Sequence, residues 1–238
     1  MAEAEKIADQ IIIFINRKSE ILINLFLIYF LMIQEFLSLF IPLLIIVNPS
    51  STLALFSIIT RKCSKQERKL IAKNAVIYAT ILLFIFALLG SSILDFLGID
   101  IYSLRIAGGI LLAFVGLDMV RRGSQFGESK PGKEQKADFA LVPLAMPSLS
   151  GPGAITVTIV GMKALTLHIS WFLAILIAIV SIIITMIITY LIFMSSIVII
   201  KALGEKGMDA FTRVMGLLTV AIAVQFALIG IADWVSTI

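Results

Sequence analysis

Apolar residues in this chain gather in runs of about 20, and short connectors between the runs hold most of the charge. Six runs stand out, at roughly 36–60, 71–90, 101–120, 139–163, 170–200 and 211–232. About 20 residues of helix, at ~1.5 Å per residue, match the ~30 Å hydrocarbon core of a bilayer. The pattern predicts an all-α polytopic membrane protein with six transmembrane helices. The fifth run is longer than a span needs, which predicts tilt or an extension past the bilayer. Residues 11–30 are also apolar but carry Asn16, Arg17, Lys18, Glu20 and Asn24. As a seventh span those charges would cost several kcal/mol on insertion. An interfacial helix over about 4–18, with a lead-in to the first span, is expected instead.

Composition supports the membrane class and adds an orientation. The 238 residues are 60% hydrophobic and 14% charged, with a mean hydropathy of +1.10. So few charges would not cover the surface of a soluble domain. The basic residues behind the net charge of +4 cluster in alternate connectors. Arg61, Lys62, Lys65, Arg68, Lys69 and Lys73 lie between the first and second runs. Arg121, Arg122, Lys130, Lys133 and Lys136 lie between the third and fourth, and Lys201, Lys206 and Arg213 between the fifth and sixth. The other connectors offer Lys163 and, near a span boundary, Arg105, beside Asp95 and Asp100. The positive-inside rule predicts a cell-membrane protein with the basic loops in the cytoplasm and both termini outside. Topology thus accounts for the charge, and nucleic acid is not an expected partner. The lone Cys63 excludes a disulfide within the chain and a cysteine-rich metal site. The acidic start, Met-Ala-Glu-Ala-Glu-Lys, predicts no cleavable signal peptide.

Two of the runs are interrupted near their middles. The first holds Asn48-Pro49-Ser50-Ser51-Thr52, and the fourth holds Ser150-Gly151-Pro152-Gly153-Ala154. Proline lacks the amide a continuing helix needs but suits the first position of a new one. Asn48, and Ser150 or Gly151, suit the cap position before it. Each interruption therefore predicts one half-helix ending and another starting, with unpaired amides at the new N-terminus. Hydrocarbon cannot satisfy those amides. Two such N-termini approaching from opposite directions would favour an anion such as a carboxylate. Ser50, Ser51, Thr52 and Thr156 add hydroxyls there. The bland alternative is a pair of structural proline kinks.

The two halves also look alike. Ser103-Leu104-Arg105-Ile106-Ala107-Gly108 resembles Phe211-Thr212-Arg213-Val214-Met215-Gly216, and Ala113 matches Ala221. Ile41-Pro42-Leu43 before Asn48-Pro49 parallels Val142-Pro143-Leu144 before Gly151-Pro152. An odd number of spans per half makes this a 3+3 inverted repeat with two discontinuous helices, as in many secondary transporters. Chance alignment of apolar helices is the alternative. The expected organisation is an extension or lead-in over 1–35, a first repeat over 36–120, a cytoplasmic loop over 121–138 and a second repeat over 139–238.

At these residues the chain resembles the MarC family, also called SnatA, of small neutral amino-acid transporters. The likeness is carried by Val47-Asn48-Pro49-Ser50 and by Leu104-Arg105-Ile106-Ala107-Gly108-Gly109-Ile110-Leu111-Leu112. It continues in Pro143-Leu144-Ala145-Met146-Pro147, Ser150-Gly151-Pro152-Gly153-Ala154-Ile155, Thr212-Arg213-Val214-Met215-Gly216 and Ala223-Val224-Gln225-Phe226. The resemblance covers about residues 32–231 and implies transport of glycine, alanine and similar amino acids. It assigns Pro49, Ser50, Pro152 and Gly153 to the paired breaks and Gln225 to a polar position of the last span.

Other polar residues have simpler expected roles. Gln225 in mid-span serves either substrate or a helix–helix hydrogen bond. Gly108, Gly109, Ala113 and Gly116 form a small-residue face for close packing. Arg105 and Arg213 are expected to snorkel at span entrances, Asp118 to pair with Arg121 or Arg122, and His168 to be a bystander in an outer connector. No Asp, Glu or His falls at mid-span, so a coupling H+ or Na+ has no side-chain carrier there. Carbonyls at the ends of 36–47 and 139–149 are the remaining ligands for a cation. The expected partners are small neutral amino acids, a coupling ion and the lipid bilayer, and a homo-oligomer stays open. No cofactor is expected. An exporter of other small solutes or drugs and a channel are the rival functions. An intramembrane enzyme is disfavoured, because no His-x-x-x-His pair, paired mid-membrane aspartates or nucleophile–base set is present.

Overall fold

The structure, a computed structural model, describes residues 26–49, 52–53, 56–57, 60, 63–123 and 149–237. Among them every regular element is helical. The helices are α1 (Phe26–Val47), α2 (Lys65–Leu97), α3 (Ile101–Arg122), α4 (Pro152–His168), α5 (Trp171–Met194) and α6 (Ser196–Val235). Five are long and apolar enough to cross a membrane: α1, α2, α3, α5 and the part of α6 over Lys206–Val235. The 17 residues of α4 fall short of a crossing by themselves.

Local chemistry sets most of the ends. α2 starts in a capping box, with the Glu67 amide donating to Ser64 and the Ser64 amide donating to the Glu67 carboxylate. It stops at Gly98, whose left-handed φ of 66° lets its amide reach back to the Leu94 and Asp95 carbonyls. Ser195 ends α5, and the Ser196 hydroxyl folds back onto the Phe193 carbonyl. Gly204, at φ 64° and ψ 177°, divides α6 into a short first piece and its spanning part.

Three expected boundaries change. α1 is already helical at Phe26, so the first span does not wait until residue 36; the chain carries no charge from Ile21 to Ile33, and Asn24 is its one strongly polar side chain there. By internal packing the chain divides between Ser38 and Leu39, part-way along α1. The long fifth run is not one tilted helix, because the serines at 195 and 196 end it and start α6. The sixth span begins at Lys206 rather than 211. The predicted interfacial helix over 4–18, the first half of span four over 139–148 and most of the loop 121–138 lie outside the described residues.

Packing within Leu39–Ile238 centres on α3 against α6, the most extensive contact between helices, with α2 against α5 next. α3 and α6 run antiparallel at backbone contact distance. A Cβ placed on Gly116 would sit 2.8 Å from the Gly216 carbonyl oxygen, and one on Gly216 would sit 2.8 Å from the Gly116 carbonyl oxygen. Gly109 abuts the Ala223 carbonyl in the same register, and Gly230 abuts the Tyr102 carbonyl. The small-residue face read from the sequence is thus a close-packing seam, and most of the outward surface is large and apolar, from Phe114 on α3 to Leu217 on α6.

Candidate functional site

The first break is a sharp change of backbone. Asn48 has φ +42°, the one non-glycine residue with positive φ among those described. Asparagine tolerates this left-handed geometry better than most side chains. Its amide still donates to the Leu44 carbonyl, closing α1, while its own carbonyl accepts from the Thr52 amide and hydroxyl, opening the next helical segment. Pro49 takes the first position of that segment, and the chain is helical at each described position up to Ser57. Asn48, Pro49 and Thr52 are buried; Ser50 and Ser51 lie outside the described residues.

The second break has the same grammar. Ser150 is fully buried in a turn, Gly151 is the N-cap in extended geometry, and Pro152, itself exposed, is the first residue of α4. The Gly151 carbonyl accepts from the Ile155 amide. The amides of Gly153 and Ala154 precede the first intrahelical bond, and Gly151 has no side chain to cap them.

The fold brings these breaks together on α3. Leu39 packs on Gly161 and Ile46 on Gly153, so α1 and α4 are antiparallel and the end of α1 meets the start of α4. A Cβ on Gly153 would lie 2.5 Å from Leu112 Cδ2 and 3.2 Å from Ile46 Cγ2. Thr156 packs on Gly108, and the Asn48 amide group reaches Met119 Sδ at 3.7 Å. Both breaks thus rest on the stretch Gly108–Met119, with Leu112 and Met119 about 10 Å apart along α3. Leu112 and Met119 were not candidates by sequence, because nothing about an apolar residue in an apolar span marks it as a neighbour of a break.

Gln225 does not join them. Its residue is exposed on the outer face of α6, whereas Ala223 is buried against α3. The arginines depart from expectation as well. Arg105 does not snorkel outward: its guanidinium pairs with Asp233 in the last turns of α6. Arg213 bonds Asp209 at 2.7 Å and the Val120 carbonyl, near the end of α3, at 2.7 Å. Asp118 pairs with Arg122 at 2.7 Å. An apolar groove of ≈ 180 Å³ sits beside Phe84, Ile175 and Ile183, where α2 meets α5.

Residues 33–235 match the MarC family of integral membrane proteins. The chain belongs to the MarC family. Several curated relatives are similar over nearly their full lengths. A UPF0056 membrane protein of Methanocaldococcus jannaschii is 40% identical over 84% of this chain and 97% of its own. One of Archaeoglobus fulgidus is 36% identical over 83% and 92%, and the membrane protein YhcE of Escherichia coli is 33% identical over 81% and 89%. No solved structure matches. As a MarC protein the chain is an integral membrane protein, and both breaks and the α3–α6 seam fall inside the matched region.

Proposed function

We propose that this MarC protein carries small neutral amino acids such as glycine and alanine across the cell membrane by alternating access. The substrate carboxylate rests on the half-helix N-termini that begin at Pro49 and Pro152. The observation that carries this reading is the meeting of the two breaks at one level of the bundle, through Ile46 and Gly153. A helix N-terminus presents free amides and a partial positive charge, and two of them at one level suit an anionic group that hydrocarbon would otherwise exclude. Leu112 and Ile46 close around Gly153, which limits the substrate to a small side chain.

The halves act as a 3+3 inverted repeat of six spans. The reciprocal contact of Gly116 and Gly216 supports that reading, because a two-fold relation exchanges the two carbonyl contacts. So does the behaviour of the paired Arg-x-x-Gly motifs: Arg105 reaches the last turns of α6 and Arg213 the last turn of α3. The basic connectors face the cytoplasm and both termini lie outside. A coupling H+ or Na+ would be held by carbonyls at the half-helix ends rather than by a mid-span carboxylate.

Ligand-induced thermal stabilisation tests the substrate class. A ligand at a hundred-fold its Kd stabilises the folded state by about 2.7 kcal/mol, so glycine and alanine should each raise the melting temperature of the purified protein, and tryptophan should not. If neither glycine nor alanine stabilises it, and neither displaces the other, the amino-acid assignment is wrong. Stabilisation by an unrelated solute alone would favour an exporter of other small solutes.

A further inference from the structure

Most threonines in these helices keep their hydroxyl occupied by donating it to the carbonyl one turn back. Thr60, Thr80, Thr158, Thr189 and Thr219 all do so, at 2.7–2.8 Å. Thr212 of α6 does not, and neither do two residues one turn apart on α5, Ser181 and Thr185. Both are 0% exposed, and neither hydroxyl has a hydrogen-bond partner among the described residues. A buried idle hydroxyl is costly, and the remedy used by its neighbours is open to any helical serine or threonine. The absence of that remedy at two positions one turn apart points to something that arrives from outside.

Their position names the place. Phe193, two turns after Thr185 on the same stripe, stacks on Phe56 with ring centroids 4.5 Å apart. The stripe Ser181, Thr185, Thr189 and Phe193 therefore faces the segment that follows the first break. α1 runs antiparallel to α4, and α4 and α5 form a hairpin across Ile169 and Ser170, so α1 and α5 run the same way. The α4–α5 hairpin sets the level, because Thr185 and Ala154 are equally far from its turn. Thr185 thus lies level with both breaks, and Ser181 lies one turn beyond.

We infer that Thr185 and Ser181 supply the acceptor oxygens for the ammonium group of the bound amino acid, opposite the amides of Gly153 and Ala154 that take its carboxylate. This rests on the proposed function and completes it. A zwitterion brings a cation as well as an anion, and the described residues that meet around the breaks (Ile46, Asn48, Leu112, Met119, Gly153 and Thr156) include no carboxylate. Neutral oxygens must then solvate the ammonium, and these two hydroxyls are free to do so.

Binding of glycine and of N,N,N-trimethylglycine, which keeps the carboxylate but has no N–H, separates the roles. Both are measured on the purified full chain, its Thr185→Val variant and its Ser181→Ala variant. The parent should prefer glycine strongly. Thr185→Val should weaken glycine binding about ten-fold or more, shrink the preference over trimethylglycine, and leave the ligand-free melting temperature unchanged or higher. Ser181→Ala should act in the same direction. A glycine preference unchanged in both variants overturns the inference while leaving the carrier reading intact, and so does a loss of affinity that is equal for the two ligands. A parent that binds no glycine overturns both.

Discussion

The α3–α6 seam gives the most quantitative expectation, because it decides the sign of a glycine-to-alanine change. In an open helix position the replacement is favourable by about 1 kcal/mol. At Gly116 the new methyl would meet the Gly216 carbonyl oxygen at 2.8 Å, Val220 Cγ2 at 2.8 Å and the Val220 amide nitrogen at 2.9 Å. Two of those three neighbours are backbone and cannot rotate aside, so α3 and α6 must separate by several tenths of an ångström along their shared seam. Overpacking of this kind costs about 1–3 kcal/mol, and spreading the seam also loosens Gly109 on Ala223. Because two of the clashes are with backbone, the cost falls in the upper part of that range, and Gly116→Ala should destabilise the protein by about 1–2 kcal/mol net of the propensity gain. Gly153→Ala meets Leu112 Cδ2 at 2.5 Å, but that atom is the end of a rotatable side chain, so its cost should be smaller. Gly116→Ala and Gly216→Ala need the same separation, so the double variant should lose less than the sum of the singles. Melting temperatures of the purified variants measure this, at roughly 2–4 °C per kcal/mol for a chain of this size. A Gly116→Ala protein as stable as the parent, a Gly153→Ala protein worse than Gly116→Ala, or strict additivity in the double variant would refute the seam as described.

Three further outcomes follow from named contacts. Asn48→Ala should lose about 1–2 kcal/mol, because alanine lacks the side-chain amide that makes φ +42° tolerable for asparagine, and Asn48→Gly, which has no Cβ to strain, should be milder by melting temperature. Asp233→Asn should destabilise by about 1–3 kcal/mol, less than a fully buried pair, because the Arg105 side chain is 11% exposed but that of Asp233 is 41% exposed; the Arg105→Leu, Asp233→Leu double variant should recover part of the loss. Cys63, partly exposed beside the first basic connector, should react with a membrane-impermeant maleimide in inside-out vesicles and not in intact cells. The opposite labelling pattern would reverse the orientation.

The sequence was most legible where a local rule acts alone. Run length located α2 and α3, and the Asn-Pro and Gly-Pro dipeptides located both breaks, because a cap and a missing amide work within a few residues. The start of α1 is harder to read, because the charges at Arg17, Lys18 and Glu20 argue against a span over 11–30 while none lies between Ile21 and Ile33, where the helix is already under way by Phe26. Faces were harder still. A helix apolar on every side has no stripe to say which residues point inward, so Gln225 looked like a site residue and turned out exposed, while Leu112 and Met119 went unnoticed. Arg105 was assigned the default of a lone basic residue at a span end. Its partner, Asp233, is 128 positions away, and only the antiparallel docking of α6 brings the two together. Ser181 and Thr185 were invisible for a related reason: what marks them is a bond they fail to make.

Counterflow of labelled glycine into proteoliposomes preloaded with unlabelled glycine tests the central claim most directly, with Ser50→Ala and Gly153→Leu measured beside the parent. The account predicts saturable uptake by the parent, competed by alanine, and a fall of at least about ten-fold in Gly153→Leu, whose side chain would fill the space between Leu112 and Ile46, with a smaller fall in Ser50→Ala. Uptake that is unchanged in both variants, or a parent that shows no counterflow at all, would contradict it.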